Sequence, residues 1–280
     1  MKIAIFTNDC PIQIALVNKI NEHVDVDTVF LAKNRIEKTK KRKNKYIYYF
    51  LRLVRIPFEL PLRMAWDDLK KRYKEQYIEI PKKVTQYYVN NINDESVIKY
   101  VKNTKPKLII VSATTMLKAD IISEASKVNC LILNLHTGIS PYIKGGPNCT
   151  NWCLATNNYL IGNTVMVLDS GIDSGAIIAT ELTTLTGTES LSELHYRVME
   201  HGFELYIKVI NSFVKKNMSF NPIKQAEIST KGDLYLTQDW TIWQVVKAYY
   251  NFKVNYPKQF SSYTLRNDIK VFPFVCKEIG

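Results

Sequence analysis

The sequence has few of the features that mark a membrane-embedded or disulfide-stabilised protein. No uncharged apolar run approaches the ~18 residues of a transmembrane helix, and residues 1–9 lack the apolar stretch and cleavage site of a signal peptide. Only five cysteines occur in 280 residues, an odd number without the spacing of a disulfide framework. We therefore expect reduced thiols, no stable membrane insertion and a cytoplasmic location.

The common short motifs for phosphate, dinucleotide and metal binding are also missing. The sequence contains neither the Gly-Lys-Ser/Thr of a Walker loop nor a Gly-x-Gly-x-x-Gly fingerprint. Cys149 and Cys153 stand four residues apart on an expected helix, but no second Cys/His pair lies at zinc-ligand spacing. We expect these cysteines to be buried as small apolar residues, and we expect no metal ion.

Short apolar segments alternate with helical patterns along most of the chain. Hydrophobic residues make up 46% of the sequence and charged residues 23%, as in ordinary globular proteins. The candidate strands are residues 2–6, 26–31, 107–112, 131–135, 163–168 and 176–182. Helical patterns occupy residues 95–102, 120–127, 149–156 and 191–213. This alternation predicts an α/β fold with a mostly parallel sheet flanked by helices.

An amide, an imidazole and a carboxylate stand out in this alternating region. Asn134 and His136 end an apolar run and lie two residues apart, so both would point to one side of a strand. They would lie at its carboxyl end, where open α/β sheets bind ligands. Asp173 follows in the turn Asp-Ser-Gly-Ile-Asp-Ser-Gly of residues 169–175. Asn134 can donate to an oxyanion, His136 can take or supply a proton, and Asp173 can orient His136. These three side chains predict an enzyme that transfers an acyl group between two nitrogens. Alternatively, Asn134 and His136 at the strand end and Asp173 in the turn have purely structural roles.

The residues around this set resemble those of the folate-dependent formyltransferases. His136, Pro141 and Gly145 match the family's His-x-x-x-x-Pro-x-x-x-Gly loop, and residues 163–175 are similar to its Thr-Val strand and Leu-Asp-Thr-Gly turn. The resemblance covers residues 90–210 well. It implies a Rossmann-like formyltransferase sheet, N10-formyltetrahydrofolate as cosubstrate, and catalytic roles for Asn134, His136 and Asp173.

The resemblance also implies where the two substrates would lie. In the family, the loop after the third candidate strand wraps the pterin of the folate, and an apolar wall closes it from the other side. The matching residues here are Ser112, Thr115, Met116 and Leu117 in the loop and Val167 and Leu168 in the wall. The loop after His136 would contact the second substrate through Gly138, Tyr142, Lys144, Gly145 and Gly146. Alternatively, Met116 and Leu117 belong to the core and Lys144 is simply solvated. Residues 140–141 and 143–144 depart from the family's pattern, which leaves the identity of the substrate open.

Positive charge is concentrated near one segment. Lysine and arginine number 38 against 26 acidic residues, a net charge of +12, and residues 33–45 hold eight basic residues against Glu37. This run opens an insertion at about residues 32–83. It is a solvated insertion that packs its apolar side on the core, a membrane-surface patch, or an electrostatic funnel for a phosphorylated ligand. We expect Pro57 and Pro61 to break any long helix here, and we favour the solvated insertion. No nucleic acid partner is expected, although a catalytically silent nucleic-acid-binding homologue is an alternative.

The part of the chain after Asp173 bears on which amine accepts the formyl group. We expect residues 1–220 to form the catalytic domain and residues 221–280 a small C-terminal appendage. The appendage resembles the short final segment of formyltransferases acting on nucleotide-linked amino sugars, which implies such an acceptor and a place in lipopolysaccharide O-antigen biosynthesis. Methionyl-tRNA and glycinamide ribonucleotide are the alternative acceptors. The appendage aromatics either contact the nucleotide sugar or bury a homodimer interface, and we favour the interface; they are Tyr235, Trp240, Trp243, Tyr249, Tyr250 and Phe252.

Overall fold

The computed structural model describes residues 1–33, 45–146, 148–216, 218–229, 232–260 and 269–274. Its strands are β1 (Ile3–Asn8), β2 (Thr28–Ala32), β3 (Thr85–Val89), β4 (Leu108–Val111), β5 (Leu131–His136), β6 (Ile143–Gly145), β7 (Gly162–Val167), β8 (Ile177–Leu182) and β9 (Asp233–Tyr235). Its helices are α1 (Pro11–His23), α2 (Lys45–Gln76), α3 (Glu95–Thr104), α4 (Ala119–Lys127), α5 (Cys149–Thr156), α6 (Leu191–Lys215), α7 (Gln225–Ile228), α8 (Ile242–Val254) and α9 (Tyr256–Phe260), with a short 3₁₀ turn at Thr237–Asp239.

Seven strands form one sheet in the order β3-β2-β1-β4-β5-β7-β8. The first five of these run parallel to their neighbours, whereas β7 pairs antiparallel with both β5 and β8. Parallel strands need long crossovers, and here helices supply them. The predicted α/β fold with a mostly parallel sheet is therefore confirmed.

The sheet is covered on both faces, which explains why its central strands β1 and β4 carry apolar side chains on both faces. Successive side chains of a strand point to opposite faces. Ile3 and Ile5 of β1 accordingly pack in a cluster with α1 and α6, while Ala4 and Phe6 pack in a second cluster with α3 and α4. All six residues of β1 are buried. A third apolar cluster joins α5, α8 and part of α2 beside the loop that follows β5.

The insertion contains one long helix, and the expectation that Pro57 and Pro61 would break it is wrong. Both prolines lie inside α2, which continues from Lys45 to Gln76. Each proline removes a backbone donor, but the helix packs against α1, α6 and α8 and buries Leu62, Ala65, Leu69 and Tyr73 at helical spacing. Packing on three helices thus outweighs the lost hydrogen bonds.

The outer side of α2 carries exposed apolar side chains. Leu53, Ile56, Leu60 and Met64 are exposed along α2, and residues 34–44 of the basic run lie outside the described residues. A solvated insertion requires that the inner side of α2 pack on the core, as it does. The roles of the insertion as an electrostatic funnel or a membrane-surface patch remain predictions. Among the described helices, none combines the length and apolar character needed to cross a membrane.

The sequence does not predict strand β3. It pairs with β2 at the edge of the sheet, and four of its five side chains are exposed. An exposed edge strand lacks the apolar alternation by which half-buried strands are recognised. Its sequence, Thr-Gln-Tyr-Tyr-Val, favours a strand only through its β-branched and aromatic residues.

The C-terminal segment packs beside the loop that follows β5. Ile223 exchanges two backbone hydrogen bonds with Ile177 at the start of β8, each 2.8 Å long. Further along, β9 pairs in parallel with β6, and α8 packs against α5 and α2. The division at residues 220 and 221 remains a prediction.

Candidate active site

Asn134 and His136 lie at the carboxyl end of β5, and Asp173 lies in the turn between β7 and β8. Strand β7 runs antiparallel to β5 and ends with Val167 opposite Leu133, and the turn that follows folds back so that Asp173 reaches Asn134 and His136. His136 Nδ1 is 3.2 Å from Asp173 Oδ2, and Asn134 Nδ2 is 3.5 Å from Asp173 Oδ1. The structure thus brings together the three predicted catalytic side chains, with the Asp173 carboxylate at their centre.

Both ring nitrogens of His136 face acceptors. Nδ1 faces the Asp173 carboxylate, and Nε2 lies 2.9 Å from the carbonyl oxygen of Ile143. Only an imidazolium can donate from both nitrogens. Burial alone lowers the pKa of His136, but the Coulombic effects of Cys149 and Asp173 and the hydrogen bonds to Cys149 and Ile143 raise it to about 9. The arrangement therefore favours a protonated His136 at neutral pH.

A backbone amide also holds the Asp173 carboxylate. The N–H of Gly145 donates to Asp173 Oδ2 at 2.9 Å, and β6, to which Gly145 belongs, is held by β9. Gly145 has φ +83°, and a Cβ there would lie 2.1 Å from the carbonyl oxygen of Tyr235. Only glycine accommodates both the left-handed backbone and this close approach.

A cleft of about 240 Å³ opens beside these residues. Asn134 and Asp173 line it, whereas His136, 6% exposed, lies behind Asp173. The other lining residues are Val111, Ala113, Thr114, Thr115, Met116, Leu117, Met166, Leu168, Asp169, Gly171, Ile172, Ser174 and Gly175. The cleft thus combines an apolar wall with an amide and a carboxylate, a composition typical of small-molecule sites.

Four of the six residues proposed for the folate lie on this cleft, namely Thr115, Met116, Leu117 and Leu168. Ser112 is buried beneath the loop, where its carbonyl oxygen accepts a hydrogen bond from Thr7. Val167 alternates to the other side of β7, and its neighbour Met166 faces the cleft in its place. Binding roles for all six remain predictions.

The residues proposed for the second substrate lie away from this cleft. Gly138 packs against His136, since a Cβ there would be 2.5 Å from His136 Nε2. The hydroxyl oxygen of buried Tyr142 accepts a hydrogen bond from the N–H of Lys270 at 2.9 Å. Lys144 and Gly145 form β6 opposite β9, and the N–H of Gly146 donates to the carbonyl oxygen of Tyr235 at 3.0 Å. In the structure these residues form and support the loop that follows β5, and their contacts with substrate remain predictions.

Several cleft residues were not singled out from the sequence. Met166 could have been found by counting two residues back from Leu168 along a strand. Asp169 accepts hydrogen bonds from the N–H of Gly171 at 3.0 Å and from the Ser174 hydroxyl at 2.6 Å, a turn that its Asp-Ser-Gly sequence indicates. Among the residues that the structure describes, no group of three or more His, Cys, Asp or Glu side chains is placed to hold a metal ion.

Comparison with known sequences gives two kinds of match. A formyl transferase family model matches residues 1–210. Methionyl-tRNA formyltransferase of Clostridium tetani is 31% identical over 135 residues, which are 48% of this chain and 42% of the relative. The enzyme of the same name from Finegoldia magna is 30% identical over 183 residues, 63% of this chain and 58% of the relative. The chain thus spans about half the length of these relatives.

Solved structures with the same fold include two further formyltransferases. A 4-N formyltransferase from Francisella tularensis has a TM-score of 0.54 and 17% identity, covering 90% of this chain and 87% of that one. An N-formyltransferase from Helicobacter canadensis, in complex with folinic acid and dTDP-3-aminofucose, has a TM-score of 0.54 and 14% identity, with coverage of 89% and 80%. At these identities the likeness concerns the fold. Because the family model matches 210 of the 280 residues, the chain belongs to the formyl transferase family.

Proposed function

We propose that this protein transfers a formyl group from N10-formyltetrahydrofolate to the primary amine of a nucleotide-diphosphate-linked amino sugar. The observation that carries the formyl transfer is the convergence of Asn134 and His136 on Asp173 beside a cleft. The folate supplies the activated formyl carbon. Apolar Met116, Leu117 and Leu168 on the cleft wall suit the flat face of its pterin.

The proposed chemistry assigns one task to each side chain. Asn134 donates to the oxygen of the formyl group as the amine attacks and that oxygen becomes negative. Asp173 accepts the proton released by the amine, through a water molecule, and returns a proton to the departing N10. Protonated His136, behind Asp173, holds the carboxylate in place and adds positive charge near the oxyanion.

The choice of an amino sugar rests on the appendage and on the structural neighbours. Those from Francisella tularensis and Helicobacter canadensis share the fold over about nine-tenths of this chain, and the second holds an amino-sugar nucleotide. The sequence relatives favour a second candidate, methionyl-tRNA. An amino-sugar acceptor implies a cytoplasmic enzyme of O-antigen biosynthesis.

The salt dependence of formylation distinguishes the two acceptors. Binding of tRNA neutralises many phosphates, so its apparent affinity falls steeply as salt rises, whereas a sugar diphosphate presents two phosphates and gives a shallow slope. We expect a shallow slope, with initial rates measured on amino-sugar nucleotides and on aminoacylated initiator tRNA.

Replacement of four residues of the basic run by serine should leave the rate of the sugar reaction within a few-fold of the wild-type rate, because an electrostatic funnel mainly affects encounter rates. The four residues are Lys40, Lys41, Arg42 and Lys43.

The control for that variant removes four positive charges elsewhere. Four exposed lysines on α2 and α3 are suitable for replacement by serine: Lys71, Lys74, Lys99 and Lys102. Rapid formylation of initiator tRNA that is steeply salt-dependent, and that only the first variant abolishes, would overturn the choice of acceptor. If no amine is formylated, the silent-homologue alternative stands.

A homodimer formed through α8 is the second part of the proposal. The six appendage aromatics fall into two groups: two are exposed, and four pack in the apolar cluster of α5 and α8, namely Tyr235, Trp240, Tyr249 and Phe252. Tyr235 stacks on Trp152, with ring centroids 4.5 Å apart, and Phe252 is buried. Trp243 and Tyr250, seven residues apart on α8, are 70% and 57% exposed. Exposed aromatics on one helix face are typical of protein interfaces.

Trp243→Glu should convert the dimer to monomers, because it places a charge at the centre of the apolar contact. Light scattering measures the mass, and Tyr88→Glu, at an exposed aromatic on edge strand β3, is the matched control. Equal masses for the wild-type protein and both variants would rule out this interface. A loss of affinity for the sugar nucleotide without a change in mass would instead assign Trp243 to substrate binding.

A further inference from the structure

Gln225 holds the turn that carries Asp173. It lies on α7, after the end of the family match at residue 210. Its side-chain Nε2 donates to the carbonyl oxygen of Asp173 at 2.7 Å and to that of Gly175 at 3.0 Å. Gln225 is only 8% exposed. Because both partners are carbonyl oxygens, only the NH₂ end of the amide can occupy this position.

The backbone brings Gln225 to this place. Ile223, two residues earlier, exchanges two backbone hydrogen bonds with Ile177, just beyond the turn. The α7 helix then begins at Gln225. The amide therefore reaches the turn from a fixed backbone anchor and not from a free loop.

The turn needs an external support. Asp173 has φ +45°, in the left-handed region, where a residue with a side chain is strained and is held by its surroundings. Asp169 stabilises one side of the turn through Gly171 and Ser174. On the other side, the described contacts of the Asp173 and Gly175 carbonyls are those with Gln225.

The position of the Asp173 carboxylate depends on that backbone. Its oxygens lie 3.2 Å from His136 Nδ1, 2.9 Å from Gly145 N and 3.5 Å from Asn134 Nδ2. We propose that Gln225 is a positioning residue, whose amide fixes the Asp173 turn and so keeps the carboxylate against His136. Its importance for turnover rests on the formyl transfer proposed above, whereas its effect on His136 does not.

A direct test is the NMR titration of the His136 imidazole, which is tractable because the chain has only four histidines. Among the residues that the structure describes, two titratable groups face that ring, the Asp173 carboxylate and the Cys149 thiol, with Sγ 3.7 Å from Nε2. If the turn loosens, the carboxylate retreats and stabilises the imidazolium less. In Gln225→Ala and Gln225→Glu, we expect the pKa of His136 to fall below about 9, because the contribution of Asp173 weakens while that of Cys149 remains.

Turnover gives the second readout. Both variants should lower it by ~10-fold to ~10²-fold, since a misplacement of about 1 Å at a catalytic group has effects of that size. The alkaline limb of the pH–rate profile should move to lower pH, because His136 loses its proton earlier. Glutamate matches the shape of glutamine but, when ionised, offers no donor to the two carbonyls. KM for the folate should change little.

Asn251→Ala is the matched control. Asn251 is also 8% exposed, and its Nδ2 also approaches two carbonyl oxygens, those of Leu154 at 2.7 Å and Ala155 at 3.5 Å on α5. It should lower thermal stability as the Gln225 variants do, yet leave the His136 titration unchanged. If Gln225→Ala fails to fold, Gln225→Glu still permits the measurement.

The outcomes separate the two proposals. An unchanged His136 titration in a folded Gln225 variant overturns the positioning role. A shifted titration in a protein that formylates no amine supports the positioning role and contradicts the proposed function instead. An equal shift in Asn251→Ala would show that general destabilisation is the cause, which also overturns the positioning role.

Discussion

Asp173→Asn should lower turnover by ~10²–10⁴-fold, the usual effect of removing a group that transfers protons. The amide is close to the carboxylate in shape but carries no charge and accepts no proton, so it can neither take the amine proton nor hold His136 as an imidazolium. The measurement is the single-turnover rate of formylation at saturating folate and acceptor. Such a rate reports chemistry without contributions from binding or product release.

Controls for this variant separate chemistry from folding and binding. Affinity for a non-transferable folate should change little, because Asp173 acts on the proton and not on the pterin. Asp120→Asn, at an exposed carboxylate in the first turn of α4, should have the wild-type rate. Asn134→Ala should lower turnover by ~10²–10³-fold as an oxyanion donor is lost. A near-native rate for Asp173→Asn would remove Asp173 from proton transfer.

Gly145→Ala should have the second large effect, on both stability and turnover. Its φ of +83° strains any residue with a side chain, and the new Cβ would meet the carbonyl oxygen of Tyr235 at 2.1 Å. The pairing of β6 with β9 must then open, which moves the Gly145 N–H from Asp173 Oδ2. We expect the thermal midpoint to fall by more than ~4 °C and turnover by ~10²-fold, measured by calorimetry and by initial rates.

The neighbouring glycine provides a matched control for stability. Gly146 has no left-handed φ, and the nearest atom to a Cβ there is the Asn148 nitrogen at 3.6 Å, an ordinary contact. Gly146→Ala should therefore keep the thermal midpoint within about 2 °C of the wild-type value. Equal destabilisation by the two substitutions would mean that the loop tolerates neither side chain, and that the close approach of Tyr235 is not the reason.

The strands of the sheet and the places of Asn134 and His136 could be predicted because local sequence indicates both. The buried strands are short apolar runs between helical patterns, and the two-residue spacing of Asn134 and His136 at a strand end is visible in one segment. Asp173 could be added because the family resemblance places a carboxylate at that turn. A short stretch of sequence indicates these features without any contact from elsewhere in the chain.

The other features depend on contacts between distant segments. Pro57 and Pro61 stay inside α2 because three helices pack against it, and no property of the local sequence reports that packing. The resemblance implies that Val167 lines the cleft, whereas strand alternation turns Met166 toward it. The sequence does not single out Gln225, because it lies on a four-residue helix and contacts a turn whose Asp173 lies more than fifty residues earlier.

The pairing of β6 with β9 bears on how the protein is made. Ile143 pairs with Asp233 and Gly145 with Tyr235, so two strands of three residues each must meet across a long stretch of chain. Such non-local contacts form late, because loop closure precedes any gain from them. During synthesis the ribosome releases the seven-stranded sheet before it releases β9. A nascent chain can therefore have its sheet complete while Gly145 and the Asp173 carboxylate still lack their final support, so the arrangement around Asp173 is completed after the sheet.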